Sequence, residues 1–190
     1  MLEQQVLVLP GYMNSDAGHW QTRWESLHPA FSRVPMPDWD HPVRDAWCRT
    51  LEAVVRAADR PVVLAAHSLG CLTVAFWAAQ YASAEDLTKV AGALLVAVPD
   101  PDGAAFPQDA SGFAPVPLTA LPFATIVVAS TDDPYGGVPF SQRCAAAWGS
   151  RWYEIGPRGH INADSGLGDW DEGQRWLASL GGVGSQTVER

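Results

Sequence analysis

The sequence is short of positive charge. Twelve Lys and Arg stand against 21 Asp and Glu, for a formal net charge of −9. That balance repels a phosphate backbone and an anionic bilayer, so no nucleic-acid or membrane partner is expected. Cysteine is also scarce. Cys48, Cys71 and Cys144 lie too far apart for a compact metal knuckle, and their odd number argues against a disulfide scaffold. They read as buried free thiols, in keeping with a reducing, cytoplasmic setting. Long apolar runs are missing at the start: "MLEQQVLVLPG" has an early acid and a very short apolar stretch, which fits neither a signal peptide nor a membrane span. The loop "PGYMNSDAG" lacks GxGxxG and lacks a P-loop lysine, so no nucleotide cradle is expected. No metal or organic cofactor is implied.

What the chain does hold is apolar bulk. Hydrophobic residues make up 47% of 190 positions and nine are Trp, so disorder is excluded for most of the chain. The length suits one domain, placed at 1–182, with a polar tail at 183–190 expected to fray. No linker, repeat or low-complexity tract divides it.

Continuous apolar runs alternate with helical stripes. "VLVLPG", "VVLAA", "VAGALLVAVP" and "FATIVVAS" read as buried strands, with shorter ones near Phe31–Val34 and in "RWYEIG". Between them, Trp20, Trp24 and Leu27 recur at helical spacing after a capping Asp16. Trp47, Leu51, Val54, Val55 and Ala58 form a second stripe, and Leu72, Ala75, Phe76 and Ala79 a third. Phe140, Cys144 and Trp148 share a helical face. Asp169 and Glu172 have capping-box spacing before a last helix that faces inward with Trp170, Gly173, Leu177 and Leu180. The stretch from Asp100 to Pro117 reads as loop, with room for a short helix. This alternation predicts a three-layer α/β/α domain around a mostly parallel sheet.

The strand "VVLAA" runs directly into "AHSLG", Ala66 to Gly70, and then into an apolar helix. This is a G-x-S-x-G turn with Ala at the first small position. Small residues on either side of the Ser let strand and helix approach closely, so the hydroxyl of Ser68 projects above the sheet. A serine nucleophile needs a base and the base an orienting acid, in the chain order Ser, acid, His for this layout. Of five histidines only His160 follows the last strand, in "IGPRGHINADSG". The acid comes from "STDDP", where Asp133 is favoured because the next Pro fixes a turn, and Asp132 is the alternative. Asp100 or Asp102, after the previous strand, is a more distant alternative acid; otherwise both are turn residues of "PDPDG". The oxyanion needs two donors. Leu69 N–H is the first, and Tyr12 N–H is favoured over Met13 as the second. His67 is expected to turn away from Ser68 and to pack. "DWDHP" makes a poor metal site. Trp39, Tyr135 and His19 are expected to border the pocket.

The constellation "VLVLPG", "GHWQTRWE", "MPDWDHP", "AHSLG", "STDDP" and "GPRGHINADSG" resembles the α/β-hydrolase superfamily, and within it the small serine hydrolases related to retinoblastoma-binding protein nine. The resemblance runs from about Val6 to Leu180. It implies a compact hydrolase fold without a large cap domain, with Ser68, Asp133 and His160 as nucleophile, acid and base. It departs at Ala66, at "PGYMNS" and at the long "YGGVP". The expected activity is cleavage of an acyl bond, most simply in a small carboxylic ester, with amide or peptide cleavage the wider implication. The alternative is a protein-interaction module on a hydrolase fold, which would need an exposed apolar patch away from Ser68 and a protein partner.

Overall fold

The computed structural model describes residues 5–181. The tail expected at 183–190 lies outside the described residues. Six strands, β1 (Gln5–Leu9), β2 (Phe31–Arg33), β3 (Val62–His67), β4 (Val90–Val96), β5 (Ala124–Ala129) and β6 (Arg151–Glu154), pair in the order β2-β1-β3-β4-β5-β6. Every pairing is parallel, so the sheet is wholly rather than mostly so.

The unbroken apolar runs follow from burial on both faces. Leu7, Leu9, Leu64, Ala66, Leu95 and Val127 point to one side of the sheet. They pack under α2 (Arg44–Ala57), α3 (Leu69–Gln80) and α5 (Val138–Trp148). Their neighbours Val6, Val8, Val63, Ala65, Leu94 and Val128 point to the other side, under α1 (Trp20–Leu27) and α6 (Asp171–Leu180). A further helix, α4 (Ala84–Thr88), starts with a Ser83/Asp86 capping box that the sequence reading passed over. Ala79 and Leu27 do not join the inner faces; Leu27 is half exposed at the end of α1.

Two helix starts differ from expectation. The acceptor that caps α1 is His19, with Asp16 one turn earlier holding the Gly18 and His19 N–H groups. The start of α6 has no side-chain cap. Trp170 occupies the N-cap position with φ 45, and its indole covers Gly173, where a β-carbon would lie 2.4 Å from Trp170 Cε3. Packing of the large ring has replaced the capping box.

The nine Trp are part of this scaffold and not an exposed patch. Six are buried and the other three are half-buried. Several indole N–H groups tie helices and strands to loops: Trp20 to Ile161 O (2.9 Å), Trp24 to Asp169 O (2.7 Å), Trp47 to Pro37 O (2.9 Å) and Trp148 to Pro117 O (2.8 Å). Each contact adds a satisfied polar group to a large buried surface.

Because β2 lies on one side of β1 and β3 on the other, the strand order reverses between β1 and β3. A crevice opens beyond the carboxyl ends of strands at such a switch point. Those ends are Leu9-Pro10-Gly11 and Ala66-His67-Ser68. The long connection from β4 to β5, residues 97–123, runs over the same edge without forming a helix or a cap.

Candidate active site

Ser68 sits at the junction of β3 and α3 with φ 55 and ψ −122, a conformation that L residues rarely adopt. Holding it costs roughly 1–3 kcal/mol, so the surrounding packing must enforce it. Gly70 shows how. A β-carbon there would lie 2.3 Å from Leu9 O, because α3 begins pressed against the end of β1. Gly11 supplies the other close approach: its β-carbon would lie 2.9 Å from Ser68 Cβ and 3.0 Å from Leu69 N. Ala66, by contrast, points its methyl into the core and has room for it.

His160 Nε2 lies 2.8 Å from Ser68 Oγ. His160 Nδ1 lies 2.9 Å from both carboxylate oxygens of Asp133, whose side chain is only 1% exposed. Asp133 Oδ1 also accepts the Tyr135 N–H at 2.9 Å, the turn fixed by Pro134. A carboxylate on Nδ1 selects the tautomer with that nitrogen protonated and leaves Nε2 as an acceptor for a serine hydroxyl. Asp132 faces elsewhere. Its Oδ1 accepts the Ser130 hydroxyl (2.8 Å) and the Gly159 N–H (2.7 Å), and the Gly159 bond foremost holds its carboxyl below the usual range. Asp100 and Asp102, the distant alternatives for the acid, instead form a turn, Asp102 N–H on Asp100 Oδ1, while Asp133 holds His160.

The loop that carries His160 is pinned from several sides. Ser130 Oγ accepts the Arg158 N–H (2.9 Å), Trp20 reaches Ile161 O, and His67 Nε2 donates to His160 O at 2.8 Å. Ile161 is fully buried at φ 50.

These groups open into a cavity of about 360 Å3. Its floor is His67, Ser68 and Leu69. Its lining is apolar at Pro99, Ala105, Phe106, Pro107 and Tyr135, and polar at Asn14, Asp16, His19, Asn162 and Asp164. Tyr12 and Met13 stand at its lip. Met13 N–H is already committed to Trp39 O at 2.9 Å. Among the described residues, the N–H groups of Tyr12 and Leu69 donate to no protein acceptor.

A family model described as serine hydrolase matches residues 6–179. The chain belongs to the serine hydrolase family. A crystal structure of a YdeN-like hydrolase from Pectobacterium atrosepticum is similar over 94% of this chain and 91% of that one, with 29% identity and a TM-score of 0.81. The ydeN gene product of B. subtilis shares the fold at 21% identity and TM-score 0.69, covering 94% of this chain and 98% of that one. So does a thermophilic esterase from Thermogutta terrifontis, at 17% identity and TM-score 0.67 over 95% of this chain and 91% of that one. A comparison with curated proteins gives no match.

In this serine hydrolase the cysteines offer no rival nucleophile. All three are free and buried. Burial pushes the Cys48 and Cys144 thiols up to about 12, and Cys71, three residues from Ser68, well above its ordinary value. Asp38 and His41 form an exposed turn, and among the described residues no group of three or more His, Cys, Asp or Glu is placed to hold a metal. No helix among the described residues is long and apolar enough to cross a membrane.

Of the three residues expected at the pocket border, Tyr135 and His19 line it. Trp39 does not: its ring packs edge-on against Trp47, 5.5 Å between centroids, as part of the core. His67 is buried and packed as expected, yet its ring forms part of the cavity floor. Sequence reasoning missed the apolar wall from Ala105 to Pro107, because that loop has no period to read. Asp132 hydrogen-bonds the loop, the alternative role open to it; sequence reasoning missed its partner Ser130, whose position at the end of β5 was the available signal.

Proposed function

We propose that the protein cleaves small carboxylic esters through Ser68, His160 and Asp133. The observation that carries this reading is the unbroken chain from buried Asp133 through His160 to Ser68 Oγ, 2.9 and 2.8 Å, opening onto the cavity. His160 Nε2 takes the hydroxyl proton as Ser68 Oγ bonds to the acyl carbon. The carbonyl oxygen becomes an oxyanion held by the N–H groups of Leu69 and Tyr12, aided by the N-terminus of α3. Tyr12 is chosen over Met13 because the latter's N–H is spent on Trp39. The tetrahedral species collapses, and His160 Nε2–H protonates the departing alkoxide. Water, deprotonated by the same nitrogen, then attacks the acyl-enzyme carbonyl and frees Ser68. Asp133 holds the tautomer and offsets the imidazolium charge.

A cavity of about 360 Å3 at the small end of ligand pockets supports a compact substrate. The large apolar side chains that stand exposed among the described residues are Met13, Leu27, Val43 and Leu118, and the nine Trp, expected as a source of such a patch, are buried or half-buried. Release of acid from short-chain 4-nitrophenyl esters tests the proposal. Turnover by wild type that falls at least about a thousandfold in Ser68→Ala is expected. Equal turnover in both proteins would refute it.

A further inference from the structure

The cavity that holds Ser68 has a neighbour. A second hollow, of about 460 Å3, lies within the connection from β4 to β5, where Gly103, Ala104, Ala110 and Phe113 line it. The two hollows share two lining residues, Phe106 and Pro107. Phe106 carries the larger side chain of the pair. It is half-buried and packs against the main core cluster.

A partition limits a substrate only if it is held in place, and Phe106 is held from the catalytic side. The Tyr135 ring packs on the His160 ring, 4.5 Å between centroids. Asp100 N–H donates to Tyr135 O at 2.8 Å, Gly103 N–H to Asp100 O at 3.0 Å and Phe106 N–H to Gly103 O at 3.0 Å. Three successive backbone bonds therefore connect Phe106 to the residue that packs on the catalytic base. The Pro that follows Phe106 disfavours a helical backbone there, so the turn does not continue.

The far side is anchored as well. Ala110 N–H donates to Pro107 O at 3.2 Å, and Ser111 N–H to Pro42 O at 2.9 Å. Ser111 O accepts the Arg44 N–H at 3.0 Å, at the start of α2. The Tyr12 hydroxyl reaches Asp109 Oδ2 at 3.3 Å, so the first loop meets this connection too. Beyond the lip, the apolar part of the lining consists of Pro99, Ala105, Phe106, Pro107 and Tyr135. An apolar chain leaves water along these side chains, whichever half of the ester carries it.

We propose that Phe106 is a specificity-determining residue: its ring closes the Ser68 cavity against the second hollow and so limits the length of the apolar chain that a substrate can carry. This rests on the reading of Ser68 as the nucleophile of an esterase.

Two ester series test it. One varies the acyl chain, from 4-nitrophenyl butyrate to 4-nitrophenyl octanoate. The other varies the alkyl chain, from butyl acetate to octyl acetate. In wild type, kcat/KM should fall at least about tenfold from the short to the long ester in one series or both, as methylenes without a place in a pocket are strongly discriminated. In Phe106→Ala the two hollows join, and the long-to-short ratio should rise at least about tenfold in the series that wild type restricts. A structural role alone would lower every rate in proportion and leave the ratio unchanged. An unchanged ratio in Phe106→Ala, or a wild type that cleaves long and short esters equally well in both series, overturns the proposal. If Phe106→Ala does not fold, Phe106→Leu takes its place, with a rise in the same ratio expected and an unchanged ratio overturning the proposal. Failure of wild type to cleave any of these esters or to react with a fluorophosphonate at Ser68 would instead indict the underlying catalytic reading.

Discussion

Gly70 and Leu9 touch so closely that no side chain fits between them: a β-carbon on Gly70 would lie 2.3 Å from the Leu9 carbonyl oxygen. The contact sets the angle at which α3 leaves the Ser68 turn. Gly70→Ala must push α3 away from β1, and the obstacle is backbone, which cannot rotate aside. We expect a loss of about 3 kcal/mol in unfolding free energy, measured by urea denaturation. Ala66→Gly should behave differently. It removes a methyl packed in the core and adds backbone freedom, for a loss of about 1 kcal/mol and no change in the Ser68 turn.

His67 holds the backbone of His160 through one 2.8 Å bond. His67→Phe keeps a ring in the buried site but leaves the His160 carbonyl unpaired. The imidazole of His160 then loses one of the constraints that keep it on Ser68. We expect kcat to fall about tenfold with KM little changed, as for a lost hydrogen bond that positions a reacting group. A rise in KM at constant kcat would show that His67 serves binding instead.

The two adjacent acids should separate sharply. Asp133→Asn leaves the shape intact but permits the wrong His160 tautomer, and activity should drop by about 1,000-fold or more. Asp132→Asn weakens the brace on Gly159 and Arg158 and should cost about tenfold at most. Steady-state kinetics on one ester give both numbers, and a larger loss at Asp132 would reverse the assignment.

Acid should destabilise the fold before the carboxylates titrate. His19 and His67 are buried and neutral: burial lowers the His19 pKa from 6.5 to about 4, and His67 falls well below its ordinary value for the same cause. The unfolded chain therefore binds these protons first as pH falls. Stability contributed by the neutral rings is complete above pH 6.5 and is lost on the way down to the folded values. From pH 7 to 4.5, His19 alone should remove about 2–3 kcal/mol of unfolding free energy. Asp86, held at about 2 chiefly by Arg56, loses its contribution only below this window. Urea denaturation at the two pH values measures the difference; a flat profile would mean that these rings are not buried neutral.

The cavity lining includes Asp16 and Asp164 and neither Lys nor Arg. A free carboxylate on the substrate has no cation to meet there. A hemisuccinate ester should be cleaved at least about tenfold less efficiently than the matching butyrate ester, with the gap narrowing as salt is added.

The alternation of strands and helices was legible because burial on both sheet faces leaves unbroken apolar runs, as in "VVLAA" and "FATIVV". Ser68, Asp133 and His160 could be singled out because each sits at the carboxyl end of a strand or just beyond one, in the order the chemistry needs. Other features depend on packing between distant segments. The α6 start follows the Trp170 ring and not the Asp169/Glu172 spacing. Trp39 turns into the core because Trp47 offers it a face. Asp132 and Asp133 are adjacent in sequence, and only the path of the loop after β6 decides that Gly159 meets one and His160 the other.

The central claim is that Ser68 is an activated nucleophile, and a fluorophosphonate tests it most directly. Folded wild type and Ser68→Ala are treated with the probe, weighed intact and mapped by peptide. The account predicts one adduct per wild-type chain, located at Ser68, and none in the variant. No adduct on folded wild type, or an adduct that persists in Ser68→Ala, would contradict it.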